Sequence, residues 1–196
     1  MYDEIQFKNP GVLRTKLPPD VFNQIKADAL EDSENKIPYN QDLVGQIHGE
    51  YEIKVRPYFE KIINNMWIEY RDRFNYCLEH PYYIPDTAWI NVQKKHEFNP
   101  IHFHTGAASW VIWLQIPYDL QEELSVFKNA KSQDASLFNF YYNSYTGTQE
   151  NLPLYIDKEW EGTMVMFPAK LKHSVNPFYT TDMPRISIAG NIDVYQ

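Results

Sequence analysis

"SWVIWLQI", residues 109–116, decides the fold. Successive side chains of an extended chain point to opposite faces. Read that way, Trp110, Ile112, Leu114 and Ile116 share one face, while Ser109, Val111, Trp113 and Gln115 share the other. Two more stretches repeat the division. In "TAWINVQ" (87–93), Ile90 and Val92 oppose Trp89, Asn91 and Gln93. In "RISIAGNI" (185–192), Ile186, Ile188 and Ile192 oppose Arg185, Ser187, Ala189 and Asn191. One face is hydrocarbon and the other mixes amides, hydroxyls and indoles. Trp89 and Trp113 among polar groups suit the lining of a ligand cavity better than a wetted surface. The pattern predicts a sheet with helices on its apolar face and a pocket on the other. Asn91, Ser109, Gln115, Ser187 and Asn191 become candidates for hydrogen bonds to whatever the pocket holds.

Working outward, period-two stretches occupy 87–94, 108–116, 137–145, 162–167 and 184–194, bounded by Pro, Asn, Asp and Gly. Before residue 85 the period is helical. Pro18-Pro19-Asp20 opens a helix with Val21, Phe22, Ile25 and Ala29 on one side. A second helix is predicted over 54–77, its stripe formed by Val55, Phe59, Ile62, Met66, Tyr70, Phe74 and Cys77. Strands following two helices point to α+β, or to a mainly β domain with flanking helices packed on one sheet. With no repeat or long linker, 1–196 reads as one domain: a helical part (1–85) covering the sheet of 86–196. The tyrosine-rich "FNFYYNSYTGTQENLPLY" (138–155) reads as an insert at a cavity mouth or an edge hairpin with exposed rings.

The net charge of −8 argues against nucleic acid as a partner. Lys94-Lys95-His96, the densest basic spot, reads as a solvated loop. A single cysteine, Cys77, excludes intrachain disulfides and cysteine-based zinc sites. The opening "MYDEIQFKNPG" is acidic and broken by proline, unlike a leader, and no apolar run approaches the ~20 residues needed to span a membrane. A cytoplasmic protein is the expectation, with no membrane partner and a homodimer left open.

Of six histidines, His48, His80 and His96 stand alone and read as ordinary surface or packed residues. His102 and His104 lie two apart after Pro100, so on an extended segment both imidazoles project to the same side. An H-x-H pair recurs by chance in many proteins. His173, read as lying in a loop after the 162–167 strand, and Arg185, which opens the next strand twelve residues later, make a rarer combination.

Together with Trp89 and Asn91, Pro100 through His104, Glu161 through Pro168, His173 through Pro177, and Arg185 through Ser187, this arrangement resembles the iron(II)- and 2-oxoglutarate-dependent oxygenases, in particular those encoded by bacteriophages and marine bacteria. The likeness covers roughly 86–194. It implies a double-stranded β-helix, or jelly roll, with the metal at one mouth. It implies iron held by His102 and His173, and 2-oxoglutarate anchored by Arg185, whose planar fork suits a carboxylate. It implies decarboxylation of 2-oxoglutarate to succinate coupled to oxidation of a substrate C–H bond. His104 stands where most of the superfamily has Asp or Glu, and it is taken as the third metal ligand. The substrate stays open among a protein side chain, a sugar, a nucleotide and a metabolite. If the gene is phage-borne, the compartment is that of an infected host cell. Two other readings compete. One is a cupin-type protein whose three histidines hold a metal without 2-oxoglutarate, which leaves Arg185 without a task. The other is a metal-free jelly-roll binding module displaying Trp89, Trp113 and Trp160.

Overall fold

In a computed structural model of the chain, residues 9–195 are described; Met1–Lys8, most of the stretch read as unlike a leader, and Gln196 lie outside them. The elements in order are β1 (Leu13–Lys16), α1 (Pro19–Glu34), β2 (Gly49–Lys54), α2 (Pro57–Phe74), β3 (Tyr82–Tyr83), β4 (Thr87–Gln93), β5 (Asn99–His102), β6 (Ala108–Gln115), α3 (Leu120–Ser125), β7 (Phe138–Asn143), β8 (Gln149–Leu154), β9 (Thr163–Pro168), β10 (Lys172–Val175) and β11 (Arg185–Val194). Both long helices begin at a proline, where a missing N–H leaves no hydrogen bond unmade. Helix α2 ends where Asn75 turns left-handed, at φ 48°. It is shorter than the 54–77 expected, because Lys54 closes a strand and Cys77 lies beyond the cap.

Two antiparallel sheets face each other. The larger runs β1-β9-β6-β11-β4-β2, with β3 added to β11, and the smaller runs β5-β10-β7-β8. The apolar face of the large sheet carries Ile90, Ile112, Leu114 and Ile188, which pack with Ile25 of α1 and Phe59, Ile63 and Trp67 of α2. Each such side chain contributes about 1.5–3 kcal/mol when fully buried. Between the sheets lies a second cluster built from Val111, Trp113, Phe138, Phe140, Val165 and Phe167. The alternation implied helices on the apolar face of this sheet, and the resemblance implied the jelly roll; the structure has both.

Several expectations are corrected. The first 85 residues are not simply helical: β1 and β2 form the two edges of the large sheet. Ile116 does not join the helix-covered face. It follows the end of β6, beside a register shift between Ile186 and Ser187, and packs in the intersheet cluster. His173 lies not in a loop but in β10, a strand of four residues whose partners on both sides supply its structure. Of its two expected readings, the tyrosine-rich segment takes the second, the β7–β8 edge hairpin with Tyr142 and Tyr155 exposed.

The E-G-x-x-x-x-F-P stretch has a clear local task. Gly162 adopts φ 78° beneath Phe22, leaving no room for a side chain. Its N–H donates to Trp113 O (2.8 Å), its carbonyl accepts from Leu17 (2.9 Å), and Glu161 Oε1 accepts from the Ile116 N–H (2.9 Å). The turn therefore ties β6, β9 and the start of α1 together.

Candidate metal centre

His102 ends β5, and His173 faces it directly across the β5–β10 pair, with ring centroids 4.2 Å apart. Both rings are held in the same way. His102 Nδ1–H donates to Pro100 O (2.7 Å) and His173 Nδ1–H to Leu171 O (3.0 Å), in each case the carbonyl two residues upstream. With the proton on Nδ1, the lone pair sits on Nε2, the tautomer a metal needs. His104 lies just past the strand, its backbone N–H donating to Ala169 O (2.8 Å). Its ring meets His102 at 4.9 Å, His173 at 5.2 Å and Trp89 at 5.5 Å.

Ligating atoms of the three rings all lie within 4.8 Å of one another. A metal held by all three would take one nitrogen from each ring, and metal–imidazole bonds are typically ~2.0–2.1 Å. Phe138 stacks parallel to His173 at 5.5 Å, and Phe167 meets it edge-on at 4.9 Å. Burial is the main cause that lowers all three imidazole pKa values, with repulsion from His102 adding to it at the other two. His104 falls to about 4 and His173 to about 3. The rings are thus neutral at pH 7, as ligands must be. The donor set fits a divalent transition metal.

The cavity at these rings has the polar face of the large sheet as its floor. One row crosses four strands in register: Glu50 on β2, Asn91 on β4, Ser187 on β11 and Trp113 on β6, all lining it. Asn91 Nδ2 donates to Ser187 Oγ at 3.4 Å. Arg185, paired with Gln93 in the neighbouring row, is 3% exposed and lines the same cavity. Its Nε and one terminal nitrogen both donate to Gln93 Oε1 (3.2 and 2.8 Å). The remaining N–H groups reach Tyr118 Oη (2.9 Å), Ser136 O (2.7 Å) and Asn176 O (2.8 Å). Every acceptor is neutral. A guanidinium is buried here with no carboxylate among its described partners.

Of the predicted hydrogen-bonding residues, Asn91, Ser109 and Ser187 line the cavity, as do Trp89 and Trp113. Two do not. Gln115 turns its amide to Pro184 O (2.8 Å), and Asn191 Oδ1 accepts from Ser109 Oγ (2.8 Å) from behind the lining. Trp160 packs edge-on against Trp113 rather than forming a displayed aromatic surface. His48 is exposed and bonded to Glu97, and His96 lies against Tyr179; neither joins the cluster. Sequence reading missed Glu50, Gln93 and Asn99. Gln93 was legible from its place on the pocket face of β4. Glu50 was hidden in a strand whose charges mask its alternation.

A family model described as 2OG-Fe(II) oxygenase matches residues 87–191, more than half of the chain. The chain belongs to this family. Among curated proteins, none matches it. Solved structures of oxygenases share the fold. A Pseudomonas putida prolyl-4-hydroxylase is similar at a TM-score of 0.62 and 12% identity, covering 95% of this chain and 94% of its own. An oxidoreductase of the 2OG-Fe(II) oxygenase family from Burkholderia pseudomallei gives 0.52 and 16%, with 93% and 84% covered. A Trichoplax adhaerens prolyl hydroxylase in complex with a hypoxia inducible factor peptide fragment gives 0.53 and 10%, with 95% and 84% covered.

The oxygenase therefore works with Fe(II) and 2-oxoglutarate, and its histidine cluster fits the iron. The cupin-type and metal-free readings fall away. No helix among the described residues is long and apolar enough to cross a membrane.

Proposed function

We propose that His102, His104 and His173 hold Fe(II), that Arg185 holds the far carboxylate of 2-oxoglutarate, and that the oxygenase hydroxylates a C–H bond of its substrate in the cytoplasm. The bound iron supplies the oxidising chemistry, and this chain's residues position the reactants. One observation carries the assignment of Arg185. A buried cation with no carboxylate among its described partners lines the same cavity as three metal-competent imidazoles. Burying a charge is costly unless it is paired, so an anionic ligand is the missing partner.

Gln93 Oε1 sits across Nε and one terminal nitrogen of Arg185, the edge a carboxylate would take bidentately. Displacement of that amide oxygen by a carboxylate turns hydrogen bonds to a neutral acceptor into an ion pair. Phe138 and Phe167 cover the His173 ring on the intersheet side. Three neutral imidazoles leave the iron site one unit more positive than two imidazoles and a carboxylate would. Dianionic 2-oxoglutarate then binds with positive coupling to the metal. The test is release of succinate from 2-oxoglutarate by the wild-type protein under Fe(II), scanned across candidate substrates. Succinate that rises with one substrate class supports the reading. No iron-dependent succinate from any class counts against it.

A further inference from the structure

Glu50 is fully buried, lines the cavity, and takes no part in the histidine cluster. Its Oε2 accepts from Asn40 Nδ2 (3.0 Å), but its Oε1 has no donor among the described residues. Asn91, its direct neighbour across the β2–β4 pair, also presents a buried Oδ1 without a donor. A side-chain oxygen of Asn99 comes close to Glu50 Oε1 as well. A Cβ placed on Gly45 would collide with Glu50 Oε1 and stand 2.6 Å from Asn99 Oδ1, and Asn99 also lines the cavity. The glycine thus leaves a carboxylate oxygen and an amide oxygen facing one point from two sides.

Acceptors that converge in this way repel one another unless N–H groups come between them. A buried acceptor left without a donor costs about 1–3 kcal/mol, and a charged one more. The obvious internal donor is committed elsewhere, since Arg185 spends its N–H groups on Gln93, Tyr118, Ser136 and Asn176. Burial pushes the Glu50 carboxyl up to about 7; the Asn40 hydrogen bond opposes this and Glu97 adds to it. This is the behaviour of a carboxylate lacking its cation. Asp42, also in the lining, adds negative potential, and among the described residues no arginine or lysine other than Arg185 lines the cavity. Val44 and Phe103, 48% and 54% exposed, give the mouth an apolar rim suited to an aliphatic stem.

We infer that Glu50, Asn91 and Asn99 form the substrate-recognition wall of this oxygenase, and that its substrate places a guanidinium or ammonium group there. The inference rests on the oxygenase reading and names the chemistry of the second reactant. The two buried side chains stand on different strands, Glu50 on β2 and Arg185 on β11, with β4 between them. Arg185 attracts the anionic cosubstrate, while Glu50 repels it and receives a basic group, so each reactant is steered to its own end. The group belongs to a free basic amino acid or to a basic side chain in a peptide.

Calorimetric titration of the metal-free protein with N-acetyl-arginine amide, against N-acetyl-citrulline amide as its neutral analogue, reads this wall without iron or 2-oxoglutarate. Failure here is therefore distinct from failure of the metal site. Wild type is expected to prefer the arginine probe about tenfold or more. Glu50→Gln should erase the preference. Gly45→Ala keeps the carboxylate but puts a methyl group where the donor would sit, so it should also cost about tenfold, and it decides the matter if Glu50→Gln does not fold. Repetition with lysine in place of arginine, and with each residue free or inside a pentapeptide, separates guanidinium from ammonium and metabolite from protein; preference for any of these over its neutral analogue supports the inference. Equal binding of charged and neutral probes by wild type, no binding of any probe, or undiminished arginine binding by Glu50→Gln would overturn it.

Discussion

The two faces of the large sheet are buried to a similar degree and made of opposite materials. Toward the helices stand Ile90, Ile112 and Ile188, none with any exposed surface. Toward the cavity, on the same strands, stand Asn91, Gln93 and Arg185, at 7%, 3% and 3% exposure. Hydrocarbon on the first face releases free energy when it leaves water. Amides and charges on the second cost free energy unless each finds a partner. The helix-covered face therefore holds the fold together. The cavity face is kept for what it binds, and the places where its hydrogen bonding is incomplete mark the ligands it awaits.

The largest effect should come from giving one face the chemistry of the other. Ile188→Asp buries an unpaired carboxylate beneath the helices and should remove at least about 4 kcal/mol of stability, enough to unfold much of the population. Denaturant titration measures it; a loss below about 1 kcal/mol would mean that this face is not the core.

Arg185→Ala comes next, and it breaks more than binding. It strips donors from Ser136 O, Asn176 O and Gln93 Oε1 inside the protein. A stability loss of about 2–4 kcal/mol should accompany the loss of 2-oxoglutarate binding. Arg185→Lys keeps the charge without the fork, and should lose less stability than affinity. Thermal melts beside anaerobic titrations separate the two losses. Unchanged 2-oxoglutarate affinity in Arg185→Lys would remove the fork from the account.

A smaller effect appears with pH. The folded imidazoles of His102, His104 and His173 are lowered, the last two to about 4 and about 3, so the unfolded chain binds more protons as pH falls below ~6.5. Metal-free protein should lose stability from there toward pH 4. Glu50 acts in the opposite sense. Its folded carboxyl is raised to about 7, so the native state takes up a proton first, and stability is gained as pH falls toward ~4.5. Glu50→Gln removes that gain and should steepen the acid loss. Melting temperatures across pH 4.5–7.5 would show it; parallel curves for wild type and Glu50→Gln would contradict the raised carboxyl.

Gln115→Ala should have the smallest effect. From the sequence, Gln115 shares a face with the pocket residues, but its amide is spent on Pro184 O. Loss of that hydrogen bond should cost about 1 kcal/mol and leave 2-oxoglutarate affinity unchanged. Weakened binding in this variant would return Gln115 to the site.

These outcomes follow the division between what the sequence made legible and what it did not. Strands β4, β6 and β11 are long enough for period two to be read, so their faces, Arg185 and most of the cavity floor could be placed. Strands β5 and β10 have four residues each and exist through their partners, so the direct facing of His102 and His173 could not be seen. Gly49–Lys54 alternates, but glutamates fill one of its faces, and a buried glutamate reads as an exposed one until the cavity is visible. Ile116 lies one step past the strand, where alternation no longer reports direction.

We take three histidines, not two, to hold the iron. Anaerobic Fe(II) titration of wild type, His102→Ala and His104→Ala, each with and without 2-oxoglutarate, tests it most directly. Both variants should lose about tenfold or more in iron affinity, and wild type should bind iron more tightly when 2-oxoglutarate is present. Iron binding by His104→Ala that matches wild type, while His102→Ala fails, would contradict the claim and leave a two-histidine site.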